Sequence, residues 1–400
     1  MSSKDNSTKA AGDFDPGFNS GSFQVFTESD WVQAICPAPG GKTIVTATDR
    51  SLQKFWIARL NADGTRDEAF GMKSDSFAGK PRLINPTLLA LPEGKFMLAD
   101  DWGPRIDLAR YLEDGSPDLS FGIEGKFTIQ VDTASDQTDE SIMSSGGGLS
   151  SAFTPDGRFL MHAGNKIIRV TASGELDKSF ASNGFLTVQP DTSESFVQGI
   201  AVLRAPNNEP GYRIIVAIAA RNNTSYVGSF DQNGKLDADF ATQGYYQLKG
   251  SEHQTILRAL TITPADEIVA VGGEFHREGF YRLYGWVIKL DRKGKIPLTF
   301  NNGTPLEVRG DFDCELTHVE VGLDHLIMAG GVGYVGESYG SARFRFKPTG
   351  ELDTLYGGQG YIIDTKNHGV RGMFYQSDKL VVGSGYKHPE LQGGIIARYL

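Results

Sequence analysis

Carboxylates and histidines in loops are the residues of this chain best suited to catalysis. Glu252 lies beside His253, and Asp311 and Asp313 lie close together in a later loop. Two carboxylates, or a carboxylate with a histidine, can serve as general acid and base. The seven histidines show no HxxxH or HxH metal-binding spacing, and no GxSxG or phosphate-binding glycine loop occurs. The pattern leaves a hydrolase or lyase open and predicts no metal and no cofactor.

A second set of loop residues suits binding rather than catalysis. Aromatic, arginine and carboxylate side chains are mixed in these loops, as they are on surfaces that bind proteins or sugars. The predicted binding residues are Trp31, Asp101, Trp102, Arg105, His253, His276, Arg277, Asp311, Asp313, Tyr334, Tyr339, His368, Tyr386 and His388. Ordinary solvated loops contain the same residue types, so that alternative also stays open.

A short phrase of fixed spacing recurs along the chain and indicates what positions these loops. Six copies place a glycine six residues before an aromatic ring: Gly64 to Phe70, Gly115 to Phe121, Gly174 to Phe180, Gly234 to Phe240, Gly294 to Phe300 and Gly350 to Tyr356. An aspartate lies three residues before the ring in every copy except one, which has Pro297. A truncated copy with Asp15 and Phe18 opens the chain. A spacing of about 50 to 60 residues between rings predicts a four-stranded propeller blade.

Short apolar segments separated by Gly, Pro, Asn and Asp predict strands and turns, and no segment shows a sustained helical pattern. The innermost strands are predicted to begin near Trp31, Leu83, Leu149, Val197, Ile256, Cys314 and Gly369. The chain is therefore predicted to be an all-β, seven-bladed propeller of four-stranded antiparallel blades. Its N-terminal strand pairs with the C-terminal blade, because the last blade has no fourth strand of its own. Residues 1–13 are predicted to be a disordered tail, and residues 14–400 a single domain.

The repeated residues are expected to be structural. We label the strands of a blade a to d from the axis outward. The glycine permits a tight turn between strands c and d, and the ring fills the gap between blades. A cation on strand c, five residues before the glycine, is expected to pair with the aspartate. These cations are Arg59, Arg110, Arg169, Lys289 and Arg345, with Ser229 departing and Arg398 facing Asp15. One carboxylate per copy is too few for calcium.

The phrase Ala58 to Gly71, like that from Gly174 to Gly184, resembles the bacterial delta-60 repeat family. The resemblance covers nearly all of residues 14–400. It implies a β-propeller from a bacterial protein, often one at the surface or secreted, and it supplies no catalytic residues. Ile296-Pro297 departs from the Leu-Asp of the motif.

Charge and composition exclude several classes of function. The net charge of −10 and the pI of about 5.3 argue against nonspecific binding to nucleic acid or to anionic membranes. No apolar run approaches the length of a membrane helix, and no Sec signal peptide is predicted. Cys36 and Cys314 lie in distant repeats, so we expect no disulfide. The cytoplasm is the default location, with export by a signal-independent route left open, and a monomer is expected.

Function is expected on one face of the ring. The connections from d to a and from b to c vary in length and composition, and we call the face that carries them the variable face. The opposite face, with short a–b and c–d turns, is the turn face. A varied loop on a repeated scaffold is where recognition usually lies. The leading expectation is a non-enzymatic protein that binds a protein or glycan, including a secreted effector, toxin or adhesin component. Residues 132–148 form either a lid or a mobile loop.

Overall fold

The structure, a computed structural model, describes residues 10–22, 24–26, 32–49, 54–78, 83, 85–101, 105–131, 151–250, 253–275, 282–386 and 393–400. These residues form 28 β-strands. The strands make seven sheets of four strands each, and neighbouring strands within a sheet are antiparallel, as in blade 1. The predicted all-β fold with seven four-stranded blades is confirmed.

The strands follow one order in every blade. Strand β1 (Gln24–Phe26) precedes the first blade. Blade 1 contains β2 (Ala34–Ala38), β3 (Lys42–Asp49), β4 (Lys54–Leu60) and β5 (Lys73–Asp75). Blade 2 contains β6 (Asn85–Ala90), β7 (Phe96–Asp101), β8 (Arg105–Tyr111) and β9 (Lys126–Gln130). Blade 3 contains β10 (Ala152–Phe153), β11 (Phe159–Ala163), β12 (Lys166–Val170) and β13 (Phe185–Thr187). Blade 4 contains β14 (Ser195–Arg204), β15 (Tyr212–Ala220), β16 (Thr224–Asp231) and β17 (Tyr245–Lys249).

The last three blades repeat this arrangement. Blade 5 contains β18 (Gln254–Ile262), β19 (Ile268–Phe275), β20 (Arg282–Leu290) and β21 (Leu306–Val308). Blade 6 contains β22 (Asp313–Val321), β23 (Ile327–Val335), β24 (Ser338–Phe346) and β25 (Tyr361–Asp364). Blade 7 contains β26 (Gly372–Gln376), β27 (Lys379–Tyr386) and β28 (Gly393–Tyr399), with β1 as its fourth strand. Four short 3-10 turns are Pro39–Gly41, Pro92–Gly94, Pro206–Asn208 and Asn301–Gly303.

The two ends of the chain close the ring, as predicted. Strand β1 pairs antiparallel with β28, with Val25 opposite Ile395. Further along, the backbone N–H of Asp15 donates to the carbonyl of Arg398, and that of Gly12 donates to the carbonyl of Leu400. Residues 10–13 of the segment expected to be a tail are thus joined to the last strand, and residues 1–9 lie outside the described residues. β1 thus covers the edge of β28, which would otherwise present unpaired backbone groups.

Each repeated ring packs against the glycine turn of the following blade. The seven rings, Phe18, Phe70, Phe121, Phe180, Phe240, Phe300 and Tyr356, are at most 2% exposed. They lie under Gly64, Gly115, Gly174, Gly234, Gly294, Gly350 and Gly12, respectively. A Cβ on any of these glycines would lie 2.5 to 3.2 Å from the nearest atom of that ring, and every one has φ between +75° and +96°. The glycine is therefore required twice, for the turn and for the close approach of the ring.

The expected pairing of strand-c cations with the aspartates is confirmed in five blades. The pairs are Arg59–Asp67, Arg110–Asp118, Arg169–Asp177, Arg345–Asp353 and Arg398–Asp15. In blade 4, where strand c has Ser229, Arg213 of strand b lies 3.1 Å from Asp237 instead. In blade 5, Pro297 removes the aspartate, and Lys289 pairs with Glu267 at 2.8 Å. In both departures the charge that remains keeps an oppositely charged partner.

The apolar core is divided among the seven junctions between blades. Each cluster of buried residues joins two adjacent blades, including one between blades 7 and 1. Cys36 and Cys314 are both buried as free thiols, so the expectation of no disulfide is confirmed. Burial raises the pKa of Cys314 to about 12. No helix in the described part of the chain is long and apolar enough to cross a membrane.

Candidate functional site

The a strands are the innermost elements of the ring and position the residues around its axis. The a strands of successive blades contact each other directly. The contacting pairs are β14 with β18, β18 with β22, β22 with β26, and β26 with β2. Their first residues lie on the variable face, next to the d–a and b–c connections. A side chain at the start of an a strand therefore lies near both the axis and the loops of the variable face.

A β-bulge changes the direction of one side chain at the same position in the a strands of blades 4, 5 and 6. The pairing register shifts between Val197 and Gly199, between Leu257 and Ala259, and between Leu316 and His318. The residues passed over are Gln198, Arg258 and Thr317. In blades 1 and 7, two successive residues likewise face one residue of strand b. The backbone N–H of Gln33 donates to the carbonyl of Thr46, whose Cα partner is Ala34. The backbone N–H of Arg371 donates to the carbonyl of Gly383, whose Cα partner is Gly372. Bulges commonly redirect side chains beside functional sites.

The bulged residues form polar contacts from one blade to the next. Arg258 Nε donates to Glu315 Oε1 at 2.8 Å, and both side chains are at most 5% exposed. Arg258 Nη1 also donates to Gln198 Oε1 at 3.1 Å, so blades 4, 5 and 6 are joined. In blade 1, Gln33 Nε2 donates to the carbonyl of Leu83 at 3.3 Å. These polar contacts join blades 4, 5 and 6 to one another and blade 1 to blade 2, and we call them the polar belt.

These bulges were not predicted from the sequence. Glycines of strand b signal those of blades 5 and 6, whereas blade 4 has Ala217 and Ile218 at the matching positions. A Cβ on Gly331 would lie 1.9 Å from the carbonyl oxygen of Glu315, and one on Gly272 would lie 2.0 Å from that of Ile256. Glycine is needed at these two positions because the backbone of strand a lies too close for a Cβ atom. Glycine inside a strand pattern indicates a bulge or a close backbone approach. The pairs Gly272-Gly273 and Gly330-Gly331 therefore indicate where the bulges of blades 5 and 6 lie.

Blades 6 and 7 contribute titratable groups beside this belt. Thr317 Oγ1 and His318 Nδ1 are 2.8 Å apart. Burial, with the charge of Arg371 acting in the same sense, lowers the pKa of His318 to about 4, so the ring is neutral at pH 7. Burial raises the pKa of Glu320 to about 8. Glu320 follows His318 by two residues on β22, so the two side chains project from the same side of the strand.

The structure brings together four of the predicted binding residues at the junction of blades 6 and 7. Asp313 is opposite Tyr334 in the pairing of β22 with β23, and Tyr334 is opposite Tyr339 in the pairing of β23 with β24. The rings of Tyr334 and Tyr339 stack with centroids 5.8 Å apart. The ring of His368 lies 6.4 Å from that of Tyr339. Asp313 is exposed, and Tyr339 is 43% exposed.

Arg371 lies near this group, immediately before β26. Burial lowers the pKa of its guanidinium, and the nearby phenol of Tyr339 acts in the opposite sense. Its charge also helps to keep the His318 ring neutral. We call Asp313, Tyr334, Tyr339, His368 and Arg371 the blade 6–7 patch. It combines two stacked rings, a carboxylate, an imidazole and a guanidinium on the variable face.

Two predicted binding residues lie in blade 2 and belong to a separate, inward-facing arrangement. Asp101 is only 8% exposed and is opposite Asn85 in the pairing of β6 with β7. Arg105 Nη2 lies 2.7 Å from Asp107 Oδ1, which also accepts a hydrogen bond from Thr128 Oγ1. The side chain of Asp107 is fully buried. The guanidinium of Arg105 is therefore held within its own blade.

The remaining predicted residues are placed as follows. His253 is partly buried beside the first strand of blade 5, and Asp311 is exposed before the first strand of blade 6. The backbone of Tyr386 ends β27, while its side chain is outside the description. Trp31, Trp102, Glu252, His276, Arg277, His388 and the 132–148 loop lie outside the described residues.

Two other features bear on ligands. Across the described ranges, no group of three or more His, Cys, Asp or Glu side chains is arranged to hold a metal ion. A cavity of about 580 Å³ lies between strand d of blade 5 and the c–d turn of blade 6. Leu298, Leu306, Glu307, Arg309 and Leu352 are among its lining residues. It opens beside the blade in which Pro297 replaces the repeated aspartate.

Comparison with known proteins reports similarity of two kinds. No curated protein matches the chain. One similar solved structure is the crystal structure of BBS1N in complex with ARL6DN, soaked with lead. It is 12% identical with a TM-score of 0.46, over 98% of this chain and 96% of that one. Another is the extracellular domain of the putative one component system BT4673 from B. thetaiotaomicron, 10% identical with a TM-score of 0.47, over 94% of this chain and 40% of that one. The model of a family described as "Domain of unknown function (DUF5122) beta-propeller" matches residues 94–121, so this stretch of blade 2, with Arg110, Asp118 and Phe121, is similar to that family.

Proposed function

We propose that this protein is a non-enzymatic binding protein whose variable face takes a protein or glycan partner. The observation that carries the proposal is the exposed ring of Tyr339, which stacks on the ring of Tyr334 and lies near that of His368 at the junction of two blades. An aromatic ring that is fixed by its neighbours loses little entropy when it is covered by a partner. The propeller itself fits an interaction role in general, because a rigid ring presents loops on one face.

The chemistry of the patch supports a polar partner. Two aromatic rings offer apolar area, and an exposed carboxylate and a guanidinium offer hydrogen bonds of opposite sense. Interfaces with such a mixture are typically wet and depend on a few anchor residues. Tyr339 is the anchor we propose, with Asp313 and His368 at its margin.

The repeat motif supports the broader assignment. The spacing of glycine, aspartate and ring is what makes the chain resemble the delta-60 repeat family, and we propose that it belongs to that repeat type. A role as a secreted effector, toxin or adhesin component would follow from that context. We propose that the protein works as a monomer, since the sheets of all seven blades are complete within one chain.

Capture of partners by matched variants tests this function. The tagged full chain, Tyr339→Ala and Leu119→Ala are each incubated with a glycan array and with a cell extract read by mass spectrometry. Leu119 is 75% exposed in the c–d turn of blade 2, so its variant removes apolar surface from the opposite face. The proposal expects one or more ligands that the wild type and Leu119→Ala retain and Tyr339→Ala loses. Ligands retained equally by all three proteins would contradict it.

A second candidate is a hydrolase or lyase that works at the axis. It is favoured by Glu320, whose raised pKa of about 8 keeps the carboxyl protonated at neutral pH on the same strand as His318. A protonated carboxylic acid of this kind can donate a proton to a leaving group. The test is turnover of any glycan captured on the array. Activity that Glu320→Gln abolishes, with capture unchanged, would favour the enzyme over the binding protein.

A further inference from the structure

We propose that a second binding site, on the outer side of the ring, takes an extended peptide segment of a partner protein in which acidic residues flank a large apolar one. The site is the cavity of about 580 Å³ beside β21, which we call the blade 5–6 groove. Its volume lies within the range of ordinary ligand pockets, about 300 to 1,000 Å³. None of its lining residues belongs to the blade 6–7 patch, so the groove is separate from the site proposed above.

The groove lies where blade 5 departs from the repeat. Four residues separate the repeated ring from strand d in blades 2, 3, 4 and 6, whereas five separate Phe300 from Leu306. In those four blades, the glycine before strand d accepts a backbone N–H of strand c. The acceptors are Gly125, Gly184, Gly244 and Gly360, and the donors are Arg110, Arg169, Ser229 and Arg345, respectively. In blade 5 the residue before strand d is Pro305, and its carbonyl accepts from Asn301 Nδ2 at 2.8 Å. The connection that borders the groove is thus held differently from that of the other four blades.

The groove follows the free edge of β21. All three residues of this strand, Leu306–Val308, line it. Successive side chains of a strand point to opposite faces, so a cavity that touches all three runs along the edge of the strand. β21 is the last strand of its sheet, and no described strand pairs with this edge. A free edge presents backbone N–H and C=O groups that an extended peptide can pair with as an additional strand.

The groove also offers apolar contacts to a peptide side chain. Phe346 is buried at the end of β24, and Leu306 and Leu352 are half-buried. Leu298, which also lines the groove, is 84% exposed. Leu119 has the same position in the motif of blade 2 and is 75% exposed, but it does not line the groove. An apolar side chain of a partner would gain most beside Leu298, because both surfaces leave water together.

The charged groups that line the groove are already matched. The carboxylate of Glu307 is paired with Arg309 at 2.5 Å. The carboxylate of Glu351 is paired with Lys347 at 3.2 Å. These pairs leave little net charge along the groove itself, so the charge preference for a partner depends on the turn beside it.

That turn carries two lysines, Lys293 and Lys295, close in sequence to Leu298. Both are exposed, and across the described ranges neither ammonium group forms an ion pair. Asp291 accepts from the backbone N–H groups of both lysines, at 2.8 and 3.0 Å, and so fixes the turn. Because the chain as a whole has a net charge of −10, a local excess of positive charge is distinctive. It favours acidic residues on either side of the apolar one.

A partner peptide fits the groove better than a second copy of this chain. Antiparallel pairing of two β21 edges about their middle residue would place Glu307 opposite its own copy. Like charges directly opposite each other destabilise a strand pair. A second copy would also bring Lys293 and Lys295 of its own to a turn that already has an excess of positive charge.

The test uses a displayed library of short random peptides as the probe, selected against the full chain. The enriched peptides are synthesised, and their affinities are measured by fluorescence anisotropy. We expect a large apolar residue flanked by Asp or Glu. Leu298→Ala should lower the affinity at least about tenfold, because the apolar side chain of the peptide loses its contact. Leu119→Ala, at the matched position of blade 2, should bind as the wild type does.

Two further measurements test the charge and the strand pairing. Lys295→Glu should weaken the same peptides and should make their affinity less sensitive to salt. N-methylation of alternate backbone amides of the peptide removes the donors of strand addition. One of the two alternate sets should abolish binding, and the other should leave it. This measurement needs no variant of the protein, so it stays interpretable if a variant does not fold.

Failure to enrich any peptide, or equal affinity for the wild type and Leu298→Ala, would overturn the inference. Peptides that tolerate N-methylation of both sets would exclude strand addition and overturn it as well. Self-association that depends on Leu298 in the absence of peptide would assign the groove to a second copy instead.

Tyr339→Ala separates this inference from the proposed function. The peptides are probes of the groove, distinct from the ligands captured through Tyr339, so this variant should bind them as the wild type does. Peptides that Tyr339→Ala loses and Leu298→Ala keeps would belong to the variable face. The groove would then be excluded as their site, and the proposed binding function would stand.

Discussion

Arg398 and Asp15 are separated by almost the whole chain, and their side chains meet with Nε 2.6 Å from Oδ2. The same guanidinium donates to the carbonyl of Ala62 in blade 1 and lies 5.0 Å from the ring of Phe18. This pair repeats the Arg–Asp contact of the other blades, with its two halves taken from opposite ends of the chain. The contacts of Arg398 therefore join the two ends of the chain within blade 7 and also connect blade 7 to blade 1.

Deleting residues 1–26 should destabilise the whole ring. The deletion removes β1, Asp15 and the buried ring of Phe18, and loss of a buried Phe side chain alone costs about 3 to 5 kcal/mol. We expect a large fall in the melting temperature measured by calorimetry. Deleting residues 1–9 is the matched control, because it leaves every described contact of the segment in place. A melting temperature unchanged by the longer deletion would rule out closure by the N-terminal segment.

Gly115→Ala should cost more stability than Gly157→Ala, although the two glycines have φ of +81° and +83°. Both substitutions force alanine into the left-handed region, at about 1 to 2 kcal/mol. At Gly115 the new Cβ would also lie 2.5 Å from the Phe70 ring, whereas nothing lies within 4 Å at Gly157. Overpacking adds about 1 to 3 kcal/mol. Equal free energies of unfolding from urea titrations would contradict the proposed contact between ring and turn.

The fold could be predicted because its determinants are periodic in the sequence. The glycine, aspartate and ring of each copy reveal the turn between c and d, and seven such units require closure. The exchange of partners in blade 4 could not be predicted in this way. Ser229 removes the expected cation, and Arg213 replaces it from a neighbouring strand, a contact set by strand pairing rather than by spacing.

The candidate site was predicted less completely than the fold. Loop composition located Tyr334, Tyr339 and His368, and their contacts follow from cross-strand pairing. Arg258 and Arg371 were missed because a bulge shifts the alternation of a strand by one residue, so each looks like an interior position. Loop composition also did not reveal that Asp101 is buried and that Arg105 is paired with Asp107. Residue types alone do not distinguish such pairs from exposed ones.

The pair formed by Arg258 and Glu315 should be strongly coupled. Arg258→Met leaves the fully buried carboxylate of Glu315 without its cation, which costs about 3 to 5 kcal/mol. The double variant with Glu315→Leu should recover a large part of that loss, because neither charge remains buried. Denaturant unfolding of the four proteins of the cycle measures the coupling. Lys347→Met is the exposed control, and losses that simply add would show that the two side chains act independently.

Glu320→Gln should change how stability depends on pH. The carboxyl titrates near pH 8 in the folded protein and near 4.5 when unfolded, so between these values the folded state holds a proton that the unfolded state has released. Stability of the wild type therefore falls as pH rises through this window, by up to about 1.4 kcal/mol per unit. The variant lacks this term and should gain on the wild type from pH 5 to pH 8. Parallel curves of unfolding free energy against pH would contradict a Glu320 carboxyl that stays protonated in the folded protein at neutral pH.

Hydrogen–deuterium exchange on the full chain, with and without a captured ligand, tests the central claim most directly. The account predicts slower exchange on binding in peptides that contain Asp313, Tyr339 and Arg371, with the c–d turns unchanged. Protection confined to the turn face, at segments such as 113–121 or 349–356, would contradict a binding site on the variable face.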